Sequence, residues 1–141
     1  MMISWFEKHN KTSLIITILI AIFIFYISSL TFAAVVPGPE FKYKPIIYHF
    51  LIFLLFSFFL LIALLKGEKI NLFLLAIIIS IIYAISDEFH QLFVPGRYCS
   101  LSDVLTDSAG ILFAGLLYTI RIKFKNKTLQ DIEEYDSSLY Y

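Results

Sequence analysis

Charge is what this chain has little of. Asp, Glu, Lys and Arg make up 16% of its 141 residues and hydrophobic types 60%, against about 25% and roughly 45–50% in an ordinary soluble domain. So many apolar side chains cannot hide inside a small globule, whose surface is large for its volume. Lipid has to be the solvent. Cys99 is the only cysteine, which excludes an internal disulfide and a cysteine metal cluster. Acidic and basic residues balance at 11 each, and no basic patch accompanies a nucleic-acid-reading motif. Nucleic acid is therefore not an expected partner. There is no internal repeat, and the length leaves no room for a soluble catalytic domain beside a membrane part.

What is present is four runs free of Asp, Glu, Lys and Arg, to be set against the roughly 20 mostly apolar residues that a span needs. Lys11 to Glu40 encloses 28 such residues and Lys44 to Lys66 encloses 21. Lys69 to Asp87 encloses only 17, and Asp107 to Arg121 only 13. At about 1.5 Å per residue a run of 13 falls short of the hydrocarbon core. The fourth helix must then begin near Ser102, carrying Asp103 and Asp107 into it, with Ser100 or Ser102 as its cap. The third likewise takes in Asp87, Glu88, His90 and Gln91 before Pro95-Gly96 stops it. Short apolar runs place acids at membrane depth.

The expected fold is all-α, a four-helix transmembrane bundle with spans at about 12–36, 46–65, 71–93 and 102–121. Pro37-Gly38-Pro39 stops the first span. A cleaved signal peptide ending at Ala33-Ala34 is its rival reading, disfavoured because the apolar stretch exceeds the usual ~7–15 residues. Residues 1–11 form a short N-terminus, and 122–141 a basic then acidic tail expected to be disordered. The N-terminus, the Lys66–Lys69 turn and the segment after Ile120 hold eight basic residues against three on the other side. The positive-inside rule then puts both termini in the cytoplasm of a multi-pass cell-membrane protein.

Sorted by depth, the polar residues converge. Ser28 and Ser29 lie toward the outer end of the first span, and His49 about one turn into the second. Asp87, Glu88, His90 and Gln91 close the third, Arg97 stands in the outer turn, and Asp103 and Asp107 open the fourth. Ser80, Tyr83, Asp87, His90 and Gln91 follow helical steps of three and four, as do Asp103, Asp107, Gly110 and Ala114. Gly110 and Ala114 form a small-xxx-small pair that lets a neighbouring helix come close. A charge at bilayer depth costs on the order of 2.5–3.5 kcal/mol on insertion scales. With Arg97 beside four carboxylates, balance requires protonated carboxyls, histidinium at His49 or His90, or a bound cation. Asp103 is accounted for as a helix-start acid; Asp107, one turn deeper, is not. Tyr43 and Tyr48 fit an interfacial aromatic belt.

The run Ser86-Asp87-Glu88-Phe89-His90-Gln91-Leu92-Phe93-Val94-Pro95-Gly96-Arg97, followed by Ser102-Asp103-Val104-Leu105-Thr106-Asp107 and Gly110, resembles the signature of the VanZ-like family. Ser28-Ser29 and Tyr48-His49-Phe50 resemble that family's first-span serines and second-span histidine. Many members carry Asp-Lys before that histidine and Glu-Tyr after it, where this chain has Pro45-Ile46 and Ile52-Phe53. Asp107 takes a position often held by Asn. The resemblance implies a membrane protein of the cell envelope, in a family whose namesake is associated with resistance to the glycopeptide antibiotic teicoplanin.

Three functions fit these residues. The first is an outward-facing site for a cell-envelope or lipid-linked ligand. There Asp87 or Glu88 is the candidate acid or base, His90 its partner, and Arg97 a phosphate or carboxylate clamp. His49, Gln91, Asp103 and Asp107 complete its binding set. A divalent cation is a variant of this reading, with Asp87 and His90 as ligands joined by Asp103 or Asp107. The second is a non-enzymatic module locked by ion pairs. The third is a proton- or cation-coupled transporter, which would need a homo-oligomer.

Overall fold

The computed structural model describes residues 2–31, 44–67 and 70–138. Among these there is no strand. A short helix α1 (Met2–Lys8) leads into α2 (Asn10–Ser28), α3 (Lys44–Leu65), α4 (Phe73–Gln91) and α5 (Leu101–Ser138). The last four are long and apolar enough to cross a membrane.

The helix ends have local causes. The 19 residues of α2 span roughly 28 Å at 1.5 Å each, close to a hydrocarbon thickness of about 30 Å. The hydroxyls of Ser28 and Ser29 fold back onto the Phe25 carbonyl where the helix closes. Residues 32–36 of the expected first span, and the Pro37-Gly38-Pro39 stop, lie outside the described residues. Lys66 (φ 53°) and Gly67 (φ 76°) form a left-handed pair that ends α3. A 3-10 turn at Ile70–Leu72 then opens α4. Ser100 caps α5, its hydroxyl accepting the Asp103 N–H at 3.3 Å. This helix runs on to Ser138, through the tail for which disorder was expected. No Gly or Pro follows Gly115, so nothing in the backbone chemistry interrupts it.

Burial is inverted relative to a water-soluble protein. Leu14, Ile15, Leu19, Phe23, Leu74 and Ile82 are exposed, while Ser13, Thr17, Ser28, His49, Asp87 and Asp107 are buried. Large apolar groups on the outside with polar groups inside is the arrangement that hydrocarbon solvent selects. Helix α3 packs on α2, α4 and α5. Its Phe53, Phe56, Leu60 and Leu61 form, with Ile24, Ala76, Ile77, Ala84, Ile111 and Ala114, an apolar belt across the middle. Tyr83 stacks on Phe56 at 4.9 Å and donates to the Ala21 carbonyl at 2.6 Å. Polar side chains gather at the two ends of this belt.

Candidate functional site

One end holds the candidate catalytic and binding residues read from the sequence; Tyr43, assigned there to an aromatic belt, lies outside the described residues. Helix α2 supplies Ser28, whose hydroxyl donates to Asp87 Oδ1 at 2.7 Å. Gln91, one turn beyond Asp87, bridges the acids of α4: its Nε2 donates to Asp87 Oδ2 at 3.3 Å and to Glu88 Oε1 at 3.1 Å. The Ser100 backbone N–H donates to Glu88 Oε2 at 2.9 Å, fixing the start of α5 against the end of α4. From α3, His49 Nδ1 lies 2.9 Å from Asp107 Oδ1. The Asp107 side chain is fully buried, and its Oδ2 has no hydrogen-bond partner among the described residues. Four separate elements thus converge on one layer, about one turn below the helix ends.

Two candidates stand to the side. His90 Nε2 is 3.0 Å from the Ser29 hydroxyl, with its ring 4.5 Å from Phe25. It therefore faces α2 and is not bonded to Asp87 or Glu88. Arg97 donates through Nε to the Leu30 carbonyl at 3.2 Å and through a terminal nitrogen to the Ile27 carbonyl at 2.8 Å. These bonds satisfy carbonyls at the C-terminal end of α2 and hold the turn between α4 and α5 over the bundle.

Two spaces adjoin the layer. An internal one of about 10 Å³ is lined by Ser28, Tyr48, His49, Asp87, Gln91 and Arg97, room for roughly one water molecule. Tyr48, assigned from sequence to an interfacial belt, turns its hydroxyl inward, without a partner among the described residues. The second is an apolar groove of about 540 Å³ between the first turns of α3 and α5, bounded by Ile46, Phe50, Leu51, Leu105 and Thr106. It opens toward the surface. A set able to hold a cation also forms here: a ring nitrogen of His49, a carboxylate oxygen of Glu88 and one of Asp103 lie within 4.8 Å of one another. Asp87 and His90, the metal pair read from sequence, are engaged by Ser28 and Ser29 instead.

A model of the VanZ/LLP1 family matches residues 3–122, all four spans included. The chain belongs to the VanZ/LLP1 family. No curated protein and no solved structure matches it. The matched region of this VanZ/LLP1 member extends beyond this polar layer to a second polar cluster at the opposite end, which sequence reading passed over. There Glu7 of α1 is buried and pairs with Arg121 at 2.8 Å, with Lys125 at 3.8 Å. The Tyr118 hydroxyl donates to Glu7 Oε1 at 3.4 Å and accepts the Gly67 N–H at 3.2 Å. Arg121 also reaches the Ser4 hydroxyl at 3.1 Å. The one available signal was an acid, Glu7, placed level with the basic end of the fourth span.

Proposed function

We propose that this VanZ/LLP1 protein binds a lipid-linked ligand of the cell envelope at the outer leaflet, with the ligand's polar head in the layer of His49, Glu88, Asp103 and Arg97. The observation that carries this reading is adjacency. An apolar groove of about 540 Å³ lies between the segments of α3 and α5 that also carry His49, Asp103 and Asp107. A molecule with a lipid tail and a polar head fits both at once. Both termini are proposed to lie in the cytoplasm, from the charge bias, which turns the layer outward. The association of VanZ-like proteins with teicoplanin resistance accords with an envelope ligand.

The apolar belt favours a binding site over a transport path. Between the outer layer and Glu7, the buried polar side chains of α3 and α4 are Ser57 and Ser80, and Ser80 is occupied by the Ala76 carbonyl. A proton relay needs successive ionisable groups across the bilayer. The non-enzymatic reading keeps one specific support, a structural role for Arg97 through its hydrogen bonds to the Ile27 and Leu30 carbonyls, which are not ion pairs.

The test is native mass spectrometry of the purified chain mixed with a polyprenyl phosphate and with phosphatidylglycerol. Retention of one lipid by the wild type, weakened at least tenfold in Glu88→Ala and Arg97→Ala, is the expected result. Equal retention in both folded variants would sink the reading, and recovery of a shortened or dephosphorylated lipid would show that the site also breaks a bond.

A further inference from the structure

The outer layer has an electrostatic problem that its hydrogen bonds do not solve. Glu88, Asp103 and Asp107 surround His49, with Asp87 on the same layer, and an anionic head group would be repelled by them. His49 is 8% exposed, and its Nδ1 is committed to Asp107. Its Nε2 has no hydrogen-bond partner among the described residues. With Nδ1 carrying the proton that Asp107 accepts, Nε2 presents a lone pair. A ring nitrogen of His49 and one carboxylate oxygen each of Glu88 and Asp103 lie within 4.8 Å of one another. No hydrogen bond links the three to one another; Glu88 is held by Ser100 and Gln91. Three electron-pair donors converging without a shared proton is the geometry of a cation site.

We infer that His49 Nε2, Glu88 and Asp103 bind one divalent transition-metal ion, with Asp107 orienting the imidazole. This rests on the ligand site proposed above and adds to it, beside the Arg97 guanidinium, a second positive centre for the anionic head. The spacing suits the assignment. Bonds of about 2.0–2.2 Å to nitrogen and oxygen place neighbouring ligands roughly 3–3.6 Å apart in a tetrahedral or octahedral shell, which is compatible with three atoms that all lie within 4.8 Å of one another. One nitrogen and two oxygens suit Zn²⁺ or Mn²⁺ better than Ca²⁺, which takes six to eight oxygens. The carboxylate–histidine–metal relay is the usual way to fix the tautomer of a ligating imidazole, and Asp107 is in place for it. Three protein ligands leave coordination positions open, and a phosphate oxygen of the lipid head would fill one. The two carboxylates neutralise the ion, which in turn offsets their burial at membrane depth.

The experiment uses the full chain in a Cys99→Ser background, purified in detergent, stripped with chelator and titrated calorimetrically with Zn²⁺ and separately with Mn²⁺. One ion per chain is expected. His49→Gln, Glu88→Gln and Asp103→Asn should each weaken binding at least tenfold, and Asp107→Asn by about 10–100-fold. His9→Gln, at the opposite end, should leave it unchanged. Pulsed electron paramagnetic resonance of the Mn²⁺-loaded chain, which needs no site variant, should show coupling to a single imidazole nitrogen. No stoichiometric binding of either ion, or Mn²⁺ bound without that coupling, would overturn the inference. Repeating the lipid assay with and without chelator separates the two proposals. Lipid retained equally in both, with no ion bound, removes the metal and keeps the ligand site; an ion bound with no lipid retained does the reverse.

Discussion

Gly110 stands one turn beyond Asp107 on α5, and a Cβ there would lie 2.3 Å from the Phe50 carbonyl oxygen on α3. That contact is backbone, so nothing flexible can yield. Gly110→Ala should push α3 outward and separate His49, which adjoins Phe50, from Asp107. The expected cost is about 1–3 kcal/mol, read as a fall of several degrees in the detergent melting temperature. Leu112→Ala, on the lipid-facing side, should change it little. Asp107 was legible in sequence because an apolar run of 13 residues is too short to span without it, and Gly110 because it forms a small-xxx-small pair with Ala114. The place of His90 was not. Three residues along a helix advance the side chain by about 300°, leaving His90 some 60° from Asp87. That offset is enough to turn it onto Ser29 while Asp87 and Gln91 point inward. Spacing identifies a broad face, and only the neighbouring helices divide it.

Among the elements, α1 is the one hydropathy could not find. It is short, and Glu7 within it reads as a solvated charge until Arg121, more than a hundred residues away, is brought beside it. The Glu7–Arg121 pair joins α1 to α5 beneath the apolar belt, and Tyr118 ties both to the Gly67 turn. Removing one partner of a buried pair leaves the other uncompensated. Glu7→Gln is therefore expected to destabilise the chain by about 3 kcal/mol, at the low end for such pairs because Arg121 retains some access to water. Combined with Arg121→Gln, the loss should be well below the sum of the single losses, a difference a double-mutant cycle measures directly. Ion binding at the outer layer should survive in these variants. Equal, additive losses would mean that the pair contributes no coupling.

Across the whole molecule, composition alone required lipid as the solvent, and the four spans were readable from their charge-free runs. The helical continuation of α5 to Ser138 was not, because a polar composition argues for disorder while the lack of any helix breaker argues against it. The proposed function depends on depth and orientation: Asp87, Glu88 and Asp107 are buried inside the bundle, below the turn that carries Cys99, and that turn is proposed to face outward. Labelling of intact cells with a membrane-impermeant maleimide tests this placement. With both termini in the cytoplasm, as proposed, native Cys99, exposed in the turn between α4 and α5, should react from outside. In a Cys99→Ser background, cysteines replacing Asp87 or Asp107 should stay protected from both sides until the protein is denatured. Free reaction of the Asp107→Cys chain in water, or reaction of Cys99 only after the cells are opened, would contradict an outward-facing layer of acids buried at membrane depth.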